Sequence, residues 1–176
     1  MLRPLHPLRR PPIRHVLLVV FVSAALLAVP ATASAAGPSA NLDCTIVSTQ
    51  DITPPITPDF GHHSSTSHGL TGTADCTGTV GGQQVAGTGS FMLNSHGTAN
   101  CESGSGDGNF VLRIPTIGGT KTVPGQFHFS FTAFPPGVTV LTGDLTGSLT
   151  FLSGDGDCVN TPLGHSTNRL DVHVAS

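Results

Sequence analysis

From residue 42 onwards, apolar side chains alternate with polar ones with a period of two. In the first such segment Leu42, Cys44 and Ile46 share one face, while Asp43 and Thr45 occupy the other. This period is typical of a β-strand with one buried face, because successive side chains of a strand point to opposite sides. No segment of this part of the chain shows a convincing 3.6-residue period, so helices are not expected.

The same alternation predicts about eight strands separated by residues that favour turns. They are centred on 42–46, 70–80, 85–93, 98–102, 110–114, 127–131, 138–152 and 170–174. Gly81-Gly82 is expected to form a hairpin turn because both residues tolerate positive φ, and Gly104–Gly108 to form another. The sequence therefore predicts an all-β domain, a single antiparallel meander that closes into a barrel or folds as a sandwich.

The clearest predicted strand carries Phe127, Phe129 and Phe131 on one face. Together with the apolar face of 138–152, these rings are expected to form the core. The alternative is that the phenylalanines line an apolar ligand cavity. Alternation does not distinguish the two, because small barrels also fill their interiors with side chains.

The first 35 residues have the order of a secretory signal peptide. Arginines at positions 3–14 make the start basic, an apolar run spans Val16–Val29, and small residues end in Ala33-Ser34-Ala35. The apolar run is too short for a comfortable membrane span. We expect cleavage after Ala35 and export to the extracellular space, with no membrane span in the mature form. The alternative is an uncleaved N-terminal anchor.

The rest of the chain is expected to be one all-β domain over 41–176, preceded by a flexible tail at 36–40. Within that domain, residues 54–69 show no apolar alternation and are rich in Pro, His and Ser. Such a composition is typical of a loop. We therefore predict a mobile loop at 54–69.

Removal of the leader changes the charge of the protein. Four of the seven basic residues leave with it, so Arg113, Lys121 and Arg169 remain against ten acidic residues. An acidic chain with three scattered cations has no electropositive surface for a phosphate backbone. Nucleic acid is therefore not an expected partner.

Four cysteines lie in the exported part, namely Cys44, Cys76, Cys101 and Cys158. An even number in a secreted chain predicts two disulfides. Strand adjacency favours Cys44–Cys76 with Cys101–Cys158. Cys44–Cys158 with Cys76–Cys101 is the alternative if the first strand also meets the last. A zinc site is not expected, because no C-x-x-C spacing occurs.

Histidines are the other candidate for chemistry. His62, His63 and His68 cluster in the predicted loop, and imidazole nitrogens bind Zn²⁺ or Cu²⁺. A specific metal site also needs a rigid scaffold and supporting partners, which a loop does not supply. These three residues are weak metal candidates, and we predict no metal site and no cofactor.

Motifs of catalysis are absent from the sequence: it has no G-x-S-x-G, no H-E-x-x-H and no P-loop. We therefore expect a non-catalytic extracellular or cell-envelope protein that binds a polymer or another protein, or is structural, with its ligand unknown. One alternative is a small hydrolase with a His–Asp–Ser constellation, which is recognised in space rather than in sequence. Another is a carrier of apolar ligands with a Phe-lined cavity.

Glycine-rich segments around the cysteines suggest a resemblance. They are Gly72–Gly78, Gly87–Phe91, Cys101–Gly108 and Gly154–Cys158. Over about residues 42–170 their layout resembles that of small exported four-cysteine all-β proteins of high-GC Gram-positive bacteria. The resemblance implies export and an all-β fold, and it implies no activity and no site residue.

Overall fold

The computed structural model describes residues 37–67, 72–132 and 137–176. These ranges contain ten strands and no helix. The strands are β1 (Ala40–Ile56), β2 (Gly61–Ser67), β3 (Gly72–Val80), β4 (Gln83–Gln84), β5 (Gly89–Ala99), β6 (Ser103–Thr116), β7 (Gly119–Thr132), β8 (Val138–Gly143), β9 (Leu145–Gly154) and β10 (Leu163–Ala175). All belong to one antiparallel sheet, so the predicted all-β class is confirmed. The predicted signal peptide at 1–35 lies outside the described residues.

The strand pairings close into a ring. Strands β5 to β10 are sequential neighbours, as in the predicted meander, and β10 then pairs with β1 from Asn41↔Ala175 to Asp51↔His165. The other side of β1 pairs with β3 along its first half and with β2 along its second, and both of these pair with β5. β2 and β3 share one position, and β4 pairs with β3 at the margin of the sheet, outside the ring. The ring of described strands therefore has eight positions, and β7 lies four positions from β1 in either direction.

Two hydrophobic clusters occupy the two ends of the inside of the ring. The larger one occupies the end where β1 begins, and its fully buried members include Leu42, Phe91, Phe110, Leu112, Ile114 and Val174. The smaller one lies at the other end and contains Ile52, Ile56, Ala99, Cys101, Phe131, Cys158 and Leu163. The phenylalanines predicted for the core divide between them: Phe127 packs in the first, Phe131 in the second, and Phe129 touches both.

Both predicted disulfides are present, with the favoured connectivity. Cys44 and Cys76 lie directly opposite each other on β1 and β3, with their Cα atoms 4.1 Å apart. Cys101 and Cys158 have Cα atoms 5.6 Å apart and belong to the smaller cluster. The first bridge therefore joins neighbouring strands, and the second ties two turns together at one end of the ring.

The predicted loop at 54–69 is wrong over most of its length. β1 continues to Ile56, and β2 runs over Gly61–Ser67. β2 pairs with β1 on one side and with β5 on the other, so its backbone groups are bonded although its side chains are polar. In β2, half-buried residues such as His63 and Ser65 alternate with exposed ones. Because the residues on both faces are polar, a pattern of apolar alternation does not reveal this strand. Residues 68 and 69 lie outside the described ranges.

The predicted tail at 36–40 is also anchored where it is described. Ala40 begins β1, and its N–H donates to the carbonyl of Ser176 at 3.1 Å. The carbonyl of Ser39 accepts from the N–H of Gly81 at 2.7 Å. These bonds hold residues 39 and 40 against both the C-terminus and the Gly81-Gly82 turn.

Three strand boundaries differ from the predicted ones. The predicted turn at Gly104–Gly108 lies inside β6, and the predicted strand at 98–102 is the end of β5 followed by a turn. The predicted run 138–152 is two strands, which separate at Asp144. The turn at Gly81-Gly82 is confirmed, with φ of 57° and 73°.

The glycines inside β6 are explained by the phenylalanines of β7. Gly104, Gly106 and Gly108 are in register with Phe131, Phe129 and Phe127 respectively. A Cβ at Gly104 would lie 2.5 Å from the ring of Phe131, and one at Gly106 would lie 2.8 Å from the ring of Phe129. Each ring therefore covers the backbone of its partner glycine, which leaves no room for a larger residue.

Within the described part of the chain, no helix has the length and apolar character needed to cross a membrane.

Loss of the Cys101–Cys158 bridge should destabilise the domain more than loss of Cys44–Cys76. The sequence separations are 57 and 32 residues, and the loop-entropy model gives about 4 kcal/mol for each, slightly more for the longer loop. Calorimetry of Cys101→Ala/Cys158→Ala should show a midpoint roughly 10–20 °C lower. Cys44→Ala/Cys76→Ala serves as the comparison, and an unchanged midpoint in both would contradict a structural role.

Replacement of Gly108 by Ala should also destabilise the fold. The new Cβ would lie 2.6 Å from Cε1 of Phe127 and 2.8 Å from the carbonyl oxygen of Asn94, so the ring has to move within a packed interior. Overpacking of this kind costs about 1–3 kcal/mol. Urea unfolding should show that loss for Gly108→Ala, whereas Ser105→Ala on the exposed face of the same strand should stay within about 0.5 kcal/mol of wild type. Equal stabilities of the two variants would refute the packing argument.

Candidate functional site

A cavity of about 100 Å³ lies inside the ring, between the two hydrophobic clusters. Its lining comes from β1, β2, β5, β7, β8, β9 and β10. Most lining residues are apolar, and most of the uncharged polar side chains lie on one side, with Thr139 on β8 as a further polar residue. The cavity is therefore amphipathic, and its two sides need separate description.

The polar side, here called the polar wall, consists of the lining residues Gln50, Ser65, Ser95, Ser166 and Asn168. Ser48, opposite Asn168 on β1, adjoins the wall without lining the cavity. Ser48 and Gln50 continue the inward face of β1 beyond Ile46, and they lie directly opposite Asn168 and Ser166 on β10. Ser65 and Ser95 extend the row onto β2 and β5, where they face each other. The wall thus crosses four neighbouring strands at one level of the ring.

Hydrogen bonds satisfy only part of the polar wall. Ser65 Oγ donates to Gln50 Oε1 at 2.7 Å, and Asn168 Nδ2 donates to Ser166 Oγ at 2.9 Å. Ser48 Oγ and Asn168 Oδ1 are fully buried and have no hydrogen-bond partner among the described residues. A buried polar group left in this condition costs about 1–3 kcal/mol. The wall is therefore an energetic cost to folding that apolar residues would avoid.

The opposite side, here called the aromatic wall, consists of Phe127, Phe129 and Phe131 on β7, all of which line the cavity. Because β7 lies four ring positions from β1, these rings face the polar wall across the interior. The glycines of β6 beside them add no side chains to this side. The surface that the aromatic wall presents is therefore made of ring faces and edges.

His63 closes the cavity beside the polar wall. Its Nδ1 lies 2.7 Å from the carbonyl oxygen of Pro54, and its Nε2 lies 3.2 Å from that of Ala99. Both ring nitrogens therefore face acceptors, and the neutral ring can donate to only one of them. The side chain ties β2 to β1 and to the end of β5.

The three histidines predicted as weak metal candidates do not form a common site in the described structure. His62 and His63 are neighbours on β2 and point to opposite faces of the sheet, with His62 exposed beside Thr98. His68 lies outside the described residues. Across the described ranges, no group of three or more His, Cys, Asp or Glu side chains is placed to hold a metal ion.

Three further histidines form cross-strand pairs with aspartates on the outside of the ring. Nδ1 of His173, His165 and His128 lies 2.9, 2.7 and 3.1 Å from a carboxylate oxygen of Asp43, Asp51 and Asp107 respectively. A catalytic triad would need a serine hydroxyl on the other ring nitrogen. In the described chain no serine hydroxyl hydrogen-bonds to these rings. The pairs are half-exposed surface contacts.

In the Asp/Gly-rich turn after β9, aspartate carboxylates accept hydrogen bonds that hold the turn together. Asn160 donates its side-chain amide to Asp157 at 2.7 Å, and the backbone N–H groups of Thr161 and Asn160 add two more bonds. Led by the Asn160 side chain, these bonds lower the pKa of Asp157 to about 2. The backbone N–H of His165, followed by that of Gly164, lowers the pKa of Asp155. Both carboxylates therefore organise the turn.

The apolar alternation in the sequence predicts Phe127, Phe129 and Phe131 on one inward face, as core residues or as the lining of a cavity, and it gives no indication of the polar wall. Ser48, Gln50, Ser166 and Asn168 keep the same period as the buried residues next to them, Ile46 and Leu170, and that continuation was the available signal. Polar residues at inward positions are read as the end of a buried face unless the register of the neighbouring strands is known.

Comparison with known proteins finds no matching family model, no matching curated protein and no matching solved structure. A function for this chain has to be inferred from the geometry of the site.

Replacement of Asp157 by Ala should destabilise the protein in a pH-dependent manner. The folded-state pKa of about 2 lies below the unfolded value of about 4, so the carboxylate stabilises the fold fully above pH 4. That contribution is lost as the pH falls towards 2. Thermal unfolding should show a lower midpoint for Asp157→Ala at pH 6, with the difference from wild type shrinking between pH 4 and pH 2.

Asp59→Ala, which removes an exposed carboxylate from another turn, is the control for this effect. A midpoint difference for Asp157→Ala that stays constant from pH 6 to pH 2 would contradict the assigned role.

Proposed function

We propose that this chain is an exported, non-catalytic protein that binds a small ligand in the cavity between the polar wall and the aromatic wall. The observation that carries the proposal is the buried, unpartnered Asn168 Oδ1 at a cavity of about 100 Å³. Protein interiors are close-packed, and buried polar groups are normally paired. A core that served stability alone would fill this space with apolar side chains.

A binding role without catalysis is supported by the chemistry of the lining. Among the described lining residues, His63 is the single titratable side chain, and both its nitrogens face backbone carbonyls. A general base has to reach the proton that it removes, and an engaged ring does not do so. The remaining polar side chains are hydroxyls and amides, which orient a ligand rather than react with it.

Export is supported by the leader predicted at 1–35 and by the two disulfides. Disulfides persist in oxidising compartments and are rare in the cytosol.

The proposal is tested with small neutral probes and a variant that fills the cavity. Ser95 lies on the inward face of β5 and lines the cavity, whereas Asn94, its neighbour in sequence, is exposed on the other face. Phenol, toluene and cyclohexanol are titrated separately into labelled protein, and chemical shifts are followed by NMR. At least one probe should bind saturably at millimolar concentration or below, with shifts centred on Phe127 and Leu141.

The matched variants Ser95→Leu and Asn94→Leu decide where a probe binds. Ser95→Leu places a larger side chain in the cavity and should abolish the saturable shifts, while Asn94→Leu should retain them. If no probe binds the wild-type protein saturably, or if Ser95→Leu binds as well as Asn94→Leu, the cavity is not a ligand site and the proposal fails.

A further inference from the structure

We infer that the ligand of this cavity is an uncharged, planar molecule no larger than about one aromatic ring, which donates a hydrogen bond to Asn168. The inference rests on the proposed function and adds the chemical class of the ligand. It follows from three features of the lining: its lack of charge, its unpartnered acceptor and the shape of its two walls.

The absence of charge from the lining favours a neutral ligand. In the described structure, none of the lining residues is Asp, Glu, Lys or Arg, and His63 is held against two carbonyls. A charge moved out of water needs an opposite charge or several strong hydrogen bonds to offset the loss of hydration. The cavity offers neither to a carboxylate or an ammonium group.

Asn168 determines which hydrogen-bonding group the ligand carries. Its amide nitrogen already donates to Ser166, and its Oδ1 is the buried atom without a partner. An amide oxygen can only accept, so the complementary ligand group is an O–H or N–H donor.

The size and shape of the cavity limit the rest of the molecule. About 100 Å³ is the share of roughly three liquid water molecules, and it is smaller than the ~150 Å³ engineered cavity that holds benzene. The part of the ligand that the cavity encloses is therefore no larger than a single ring. The aromatic wall presents Phe127, Phe129 and Phe131 to that ring, and aromatic rings stack offset or edge-to-face with one another.

Four probes separate these requirements. Phenol has the ring and the donor. Toluene has the same shape without the donor, cyclohexanol has the donor without the planar ring, and benzoate has the ring with a charge. Titrations of the wild-type protein should show phenol binding at least about fivefold more tightly than toluene, which corresponds to one neutral hydrogen bond. Cyclohexanol should bind more weakly than phenol, and benzoate should not bind saturably.

The variant Asn168→Leu tests the acceptor directly. It replaces the amide by an apolar side chain of similar volume, so the preference for phenol over toluene should disappear or reverse. Asn94→Leu on the outer surface should keep the wild-type preference. Even if Asn168→Leu does not fold, the ratio of phenol to toluene affinity measured on the wild-type protein tests whether the ligand needs a hydrogen-bond donor.

The outcomes distinguish this inference from the proposed function. If toluene binds the wild-type protein as tightly as phenol, or if benzoate binds saturably, and Ser95→Leu abolishes the binding, the cavity is a ligand site but the inferred class is wrong. If no probe binds, both are wrong.

Discussion

The pairing of β1 with β10 is the constraint on which the rest of the structure depends. It joins the two ends of the domain through a continuous antiparallel register from Asn41↔Ala175 to Asp51↔His165 and so turns a row of hairpins into a closed ring. Closure places β7 across from β1, which sets the aromatic wall opposite the polar wall. It also encloses the inward faces of all the strands, so that polar residues on those faces become buried. Without this seam there would be neither a cavity nor a buried Asn168.

The relation between β6 and β7 shows how the interior keeps its space. Phe127, Phe129 and Phe131 would fill the ring if they met large side chains, but they lie over the glycines of β6 instead. Flat rings against bare backbone bury apolar area while they extend little into the centre. Glycine in a strand lowers its intrinsic stability. Burial of the phenylalanine rings that cover these glycines offsets that loss of stability. The two disulfides add to the stability because they reduce the conformational entropy of the unfolded chain.

The polar wall, unlike the aromatic wall, lowers the stability of the fold. Hydroxyl and amide groups placed inside a ring cost stability when they lack partners, as Ser48 Oγ and Asn168 Oδ1 do. The two hydrophobic clusters on either side supply the burial that offsets this cost, and the second is tied by the Cys101–Cys158 bridge. The cavity thus lies between two packed regions, whose side chains hold its lining in place. The stability that the two clusters contribute thus allows the fold to keep polar groups without hydrogen-bond partners between them.

The amino-acid sequence by itself determined the all-β class, the antiparallel hairpins and the Gly81-Gly82 turn, because period-two alternation and turn-forming residues are local properties. It favoured the observed disulfide pairing but left a second pairing open, and the tertiary structure decided between them. The sequence also placed Phe127, Phe129 and Phe131 on one inward face. The strand at 61–67, the glycines within β6 and the polar wall were decided by the tertiary structure. Ser64 and Ser65 form a strand because β1 and β5 bond them from both sides, and Asn168 is buried because β10 closes against β1. Those contacts join residues far apart in the chain, and no local pattern encodes them.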